Sequence, residues 1–196
     1  MRPFMRAHTL LIMAALVGVA ACNRAAPTQS SAGQGPQLEA PAPEAEPTRA
    51  FAPANPAATA ASGALNVSIT TRMPDAAQAD QGAAAHDVLT LTGANHLVLE
   101  AESFSTVSPA TQVERQTIRA LMSLPVDAAQ VVVYKVSSET KPESGQGVCG
   151  ADSPAYVLVW EPDTPGDASL KIMGVKNAAP GAAGAQACPS LEYGRQ

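Results

Sequence analysis

Apolar positions along the chain fall into three regimes. Thr9 to Ala21 run without a charge through Leu10, Leu11, Ile12, Met13, Leu16 and Val17, whereas from Asn23 to Gly63 Leu38 and Phe51 are the only large apolar side chains. Beyond Ala64, runs of Val, Ile, Leu and Thr alternate with turn residues, and here a core becomes possible. Asn66 to Thr71 sets Val67 and Ile69 against polar neighbours and predicts a first strand. Asp87 to Thr92 and His96 to Ala101 predict a hairpin. A three-residue Gly93-Ala94-Asn95 loop pairs Leu91 with Leu97 and Leu89 with Leu99, which puts all four leucines on one face and Asn95 in the left-handed position.

After Val107 the pattern turns helical. Ser108-Pro109 offers an N-cap with Pro at the first helical position, and Thr111 to Glu114 offers a rival capping box. Ile118, Leu121 and Met122 form one face and Gln112, Arg115, Gln116, Arg119 and Ser123 the other, with a stop before Pro125. Val131 to Val136, Tyr156 to Glu161 and Leu170 to Val175 then read as three more strands. Strands, a helix and strands again predict an α+β domain: a small, mainly antiparallel sheet with one covering helix.

Composition divides the chain at the same places. Asn23 to Gly63 holds 7 Pro and 13 Ala in 41 residues, a stretch that cannot bury enough surface to offset its ordering entropy. It reads as a disordered tether, so the expected organisation is 1–21 signal peptide, 22–63 linker and 64–196 folded domain. The folded part is acidic, with 14 Asp+Glu against 8 Lys+Arg from Ala64 onward. That sign argues against a protein held on nucleic-acid phosphates.

Arg2 and Arg6 ahead of the apolar run make an n-region and an h-region, and thirteen residues rising about 1.5 Å each fall short of a ~30 Å hydrocarbon core. The segment reads as cleaved rather than spanning. Val19-Ala20-Ala21-Cys22 directly after it resembles the lipobox of bacterial lipoproteins. The resemblance implies that Cys22 becomes the lipidated N-terminus of the mature chain, and that Asn at position 23 sorts it to the outer membrane, facing the periplasm. Membrane contact through that anchor is the one partner the resemblance implies.

With Cys22 given to lipid, Cys149 and Cys188 remain as an even pair in an oxidising compartment, so one disulfide is expected. Redox pairs usually sit as Cys-x-x-Cys and structural zinc needs four soft ligands, so neither a metal nor a cofactor is expected. Cys149-Gly150, the strands at Tyr156 and Leu170, and Cys188 followed by Tyr193 resemble a C-terminal pattern of uncharacterised proteobacterial envelope lipoproteins. The resemblance supports location and disulfide and implies no activity.

Candidate chemistry is sparse. His86 and His96 are the only histidines after the signal peptide, and each is better explained as a solvated residue than as a base. Glu100 and Glu102 share a strand face, where outward charges are the simpler account. Arg115 and Arg119, one helical turn apart, could engage a phosphate or carboxylate. Tyr156 and Trp160 share a strand face and could form a ligand platform or fill the core. These features point to a non-catalytic binding or structural module whose partner is an envelope protein or cell-wall polymer. A small periplasmic inhibitor acting through an exposed loop such as Ser144 to Gly147, and a hydrolase using His86 or His96, are the alternatives.

Overall fold

The computed structural model describes residues 47–163 and 169–195. The expected signal peptide, Cys22 and the part of the expected linker before Pro47 lie outside the described residues. Along the chain come β1 (Arg49–Pro53), α1 (Pro56–Ala61), β2 (Leu65–Arg72), α2 (Ala76–Asp80), β3 (His86–Gly93), β4 (Val98–Val107), β5 (Gln112–Val113), β6 (Gln116–Thr117), α3 (Ile118–Leu121), β7 (Val131–Thr140), β8 (Tyr156–Trp160), β9 (Ser169–Lys176) and β10 (Gln186–Arg195). Eight of the strands close into a barrel in the order β1-β2-β3-β4-β7-β8-β9-β10, each antiparallel to its neighbours and β10 returning to β1. Closure removes the free edges that an open sheet would expose.

This overturns the α+β expectation, and the physical reasons are local. The stretch read as a covering helix doubles back instead: β5 and β6 pair with Glu114 at φ 59°, Ile118 N–H donates to the Thr111 carbonyl and Arg119 N–H to that of Pro109. Only one turn of helix survives, capped by Thr117, whose hydroxyl accepts from Ala120 N–H at 3.3 Å. Helical spacing of Ile118, Leu121 and Met122 was real, but it extends over a single turn, too short to nucleate a longer helix without packing.

Two apolar clusters hold the fold. The first fills the barrel: Leu65, Val67, Leu89, Leu91, Leu99, Val157, Leu170, Ile172, Leu191 and Tyr193 alternate inward along their strands. Asn66, Ser68, Thr70, Thr90 and Thr92, at outward positions of β2 and β3, are polar. Apolar inside and polar outside is the reverse of a barrel set in lipid. The second cluster lies outside β7, β8 and β9, where Val113, Ile118, Met122 and Leu124 pack on Val131, Val133, Leu158, Trp160 and Met173. Lys171 pins this cover from the barrel side, its ammonium donating to the carbonyls of Met122 (3.1 Å) and Ser123 (2.9 Å) and pairing with Glu192 at 3.2 Å.

One end of the barrel is shut. Between β1 and β2, α1 tucks Ala58 and Ala61 into the interior. The Asn55 side chain caps its start, accepting from Ala58 N–H at 2.8 Å and donating to the Ser190 carbonyl at 2.9 Å. Ser62 at its end is fully buried and shares a 2.7 Å hydrogen bond with the Tyr193 hydroxyl. Burial pushes that phenol up to about 12. The β3–β4 turn closes over the same end, and here the expected register is corrected. Leu91 faces Leu99 and Leu89 faces Ala101, with His96 rather than Asn95 at positive φ. A slip of two residues keeps every leucine inward. Asn95 is used differently, accepting from Leu97 N–H and donating to the Ala61 carbonyl at the end of α1.

Cys149, in the loop between β7 and β8, is bonded to Cys188 on β10, with Cα atoms 5.1 Å apart. Both sulfurs lie over Gly174 of β9, where an added β-carbon would overlap the Cys149 sulfur and sit 3.2 Å from that of Cys188. The missing side chain at Gly174 is the space the disulfide occupies.

Candidate functional site

The other end is open. It is bounded by the start of β1, the ends of β2 and β8, the start of β7 and the loop that precedes it. Inside it lies a cavity of about 460 Å³. Ile69, Val132, Tyr134 and Val159 supply the apolar lining from β2, β7 and β8, and each is an inward position of a strand whose next inward residues fill the barrel below. Pro125, Asp127, Ala128, Ala129 and Gln130 make one wall, and Trp160, Glu161, Pro162 and Asp163 another.

Across the opening runs an ion pair between Arg49 and Glu161, 112 residues apart. Because β1 and β8 are three strands apart by the shorter way round the barrel, this pair spans the mouth instead of running along its wall. Arg49 also lies 5.9 Å from the ring centroid of Phe51, the next inward residue of β1. Both charged side chains keep some exposure (23% and 30%), so their attraction is partly screened and the pair can open at modest cost.

The loop holding Cys149 sits at the opposite, closed end. Its tip, Glu143 to Gln146, is exposed, while Gly147, Val148 and Cys149 are buried. Glu139 accepts from Val148 N–H at 2.9 Å, Lys141 donates to the Ala151 carbonyl, and Lys176 pairs with Asp152 at 2.7 Å. The Lys176 ammonium, hydrogen-bonded to Asp152, holds that carboxyl below its ordinary range.

The residues singled out from the sequence do not converge on one place. Arg115 is exposed in the β5–β6 turn, whereas Arg119 donates to the carbonyls of Pro125 and Ala128 and so shapes the loop along the mouth. The two arginines do not share a helical face. Tyr156 and Trp160 do share the outer face of β8: Trp160 is buried under the β5–α3 cover and also lines the cavity, and Tyr156 packs beside it with exposed Phe104 at a centroid distance of 5.2 Å. His86 opens β3, with Nε2 3.8 Å from Glu102, an oxygen that Arg72 approaches at 3.7 Å. His96 is exposed in the β3–β4 turn at the closed end. Neither histidine lines the cavity. Among the described residues no group of three or more His, Cys, Asp or Glu is placed to hold a metal ion.

Sequence reasoning missed Arg49 and Glu161. Arg49 lay in the stretch assigned to the linker, and its one clue was the alternation Arg49-Phe51-Pro53 in a segment otherwise poor in charge. No protein-family model, curated protein or solved structure matches the chain.

Proposed function

We propose that the chain is an envelope lipoprotein, anchored through Cys22 in the outer membrane and facing the periplasm, whose barrel is a non-catalytic module that binds a small ligand at its mouth. What supports the binding reading is the cavity itself. The barrel is packed with aliphatic side chains below Tyr134 but left open above it, over a volume of about 460 Å³. Small-molecule sites commonly occupy roughly 300–1,000 Å³, and this cavity sets the apolar side chains Ile69, Val132 and Val159 beside several charged groups. The lipoprotein part rests on the Arg2/Arg6 n-region, the apolar run and Val19-Ala20-Ala21-Cys22.

The test is to block the mouth. Val132→Trp places an indole where the cavity narrows, and fractions of envelope extract are screened for a rise in Tm of the wild-type and Val132→Trp chains. Fractions that stabilise the wild type alone support the reading; no shift, or equal shifts in both, contradicts it. A second reading, a small inhibitor, is favoured by one observation: the exposed tip Glu143–Gln146 is held on a buried, disulfide-bonded base, and such pre-ordering lowers the entropic cost of inserting a loop into a partner. A panel of cell-wall hydrolases and proteases assayed with the protein tests it, and activity unchanged throughout counts against it.

A further inference from the structure

The chemistry around the mouth is unequal in charge. Of the charged residues lining the cavity, Asp127, Glu161 and Asp163 are acidic and Arg49 alone is basic. Arg49 is already committed to Glu161. Among the described residues Asp127 and Asp163 have no ion-pair partner, and both are exposed at the rim. Two of the bases near them in sequence are used elsewhere: Arg119 on the Pro125 and Ala128 carbonyls, Lys171 on Glu192 and the end of α3. Besides these charges the lining includes Ile69, Val132, Tyr134 and Val159, inward positions of β2, β7 and β8.

An apolar slot under an anionic rim is complementary to one kind of molecule. We propose that the mouth takes a small amphiphilic ammonium compound, its alkyl body between Ile69, Val132 and Val159 and its cationic head among Asp127, Asp163 and Glu161. This rests on the reading of the cavity as a binding site. An anionic amphiphile would have to set its head against the same carboxylates, and the one guanidinium available to it would first have to leave Glu161. An ammonium head needs no such exchange. It adds a second cation to a rim with two carboxylates in excess.

Binding is read as heat by isothermal titration calorimetry, with the emission of Trp160, the single tryptophan of the chain and a residue bordering the cavity, followed alongside. The full-length chain carrying Cys22→Ser, which has no acyl chain to compete, is titrated with octyltrimethylammonium, octyl sulfate and octyl glucoside, each below its micelle-forming concentration. Binding of the cation about tenfold more tightly than the sulfate is expected, weakening as salt is raised. Asp127→Asn/Asp163→Asn should remove most of that preference and leave the glucoside unchanged. Circular dichroism and the intact Cys149–Cys188 bond confirm that the double variant is folded. Equal affinities for all three, or tighter binding of the sulfate, overturn the proposal while leaving the cavity as a site for apolar bodies. No change in Trp160 emission with any of them, and no heat of binding, overturns the cavity reading together with the proposal.

Discussion

Gly174 and the disulfide make a pair whose coupling can be measured. Cys149 and Cys188 are 39 residues apart, and closing a loop of that length restricts the unfolded chain by about 4 kcal/mol. Cys149→Ala/Cys188→Ala should therefore lower unfolding free energy by about 3–4 kcal/mol, a large part of the stability of a domain this size. Gly174→Ala in the wild-type background drives a methyl into the Cys149 sulfur, with Val148 Cγ1 only 3.1 Å away, so nothing flexible can yield. Overpacking of this kind costs about 1–3 kcal/mol. Once both sulfurs are gone the same methyl enters vacated space, and Gly174→Ala should be neutral or stabilising. Urea unfolding followed by Trp160 emission on the wild type, the Cys variant, Gly174→Ala and the triple variant closes the cycle. An interaction of about 2 kcal/mol is expected between the sites. If Gly174→Ala costs the same with and without the disulfide, the sulfurs do not lie over that α-carbon and this description of the closed end is wrong.

Tyr193 should make the protein sensitive to alkali. Its phenol is raised to about 12 when folded and titrates near 10 when unfolded, so the native state holds the proton longer. Stability is then flat below about pH 9.5 and falls between pH 10 and 12 by about 2–3 kcal/mol. Tyr193→Phe should flatten that limb while costing about 1–2 kcal/mol at pH 7 through the lost bond to buried Ser62; an unchanged alkaline limb in the variant refutes it. Cys22→Ser should prevent acylation. Fractionation of cells producing the two chains should find the wild type with the membranes and the variant retained by an uncleaved leader or released, without label from an alkyne-tagged fatty acid; equal labelling of both would exclude Cys22 as the lipid site.

The hydrophobic pattern exposed six of the eight barrel strands in the sequence, because β2, β3, β4, β7, β8 and β9 each keep an apolar run or a regular alternation. The two that close the barrel lack it. In β1 the sole large inward apolar residue is Phe51, set among Ala and Pro that match the preceding segment in composition. In β10 a bulge between Ala187 and Ser190, around Pro189, shifts the phase between Cys188 and the pair Leu191 and Tyr193, so a period of two is broken. Without those strands the sheet reads as open, and an open sheet needs a cover, for which the helical spacing at Ile118, Leu121 and Met122 is the one candidate in the sequence.

The disulfide was legible as the pair left over once Cys22 is read as the lipid site. The mouth was not, because it depends on closure. Arg49 and Glu161 meet only when closure sets β1 and β8 three strands apart around one mouth, and Val132 and Val159 line a cavity only once the barrel is closed. No local spacing encodes such a meeting. What composition did carry was the acidic balance of the folded part, which the structure places in part around the mouth, at Asp127, Glu161 and Asp163.

The central claim, a barrel that holds a small ligand at its open end, is tested most directly by native mass spectrometry of the protein isolated from the envelope of cells that produce it. A small-molecule adduct is expected on the wild-type chain and absent from Val132→Trp, with the Cys149–Cys188 bond intact in both. Identical spectra without any adduct, or an adduct that survives the filled mouth, would contradict it.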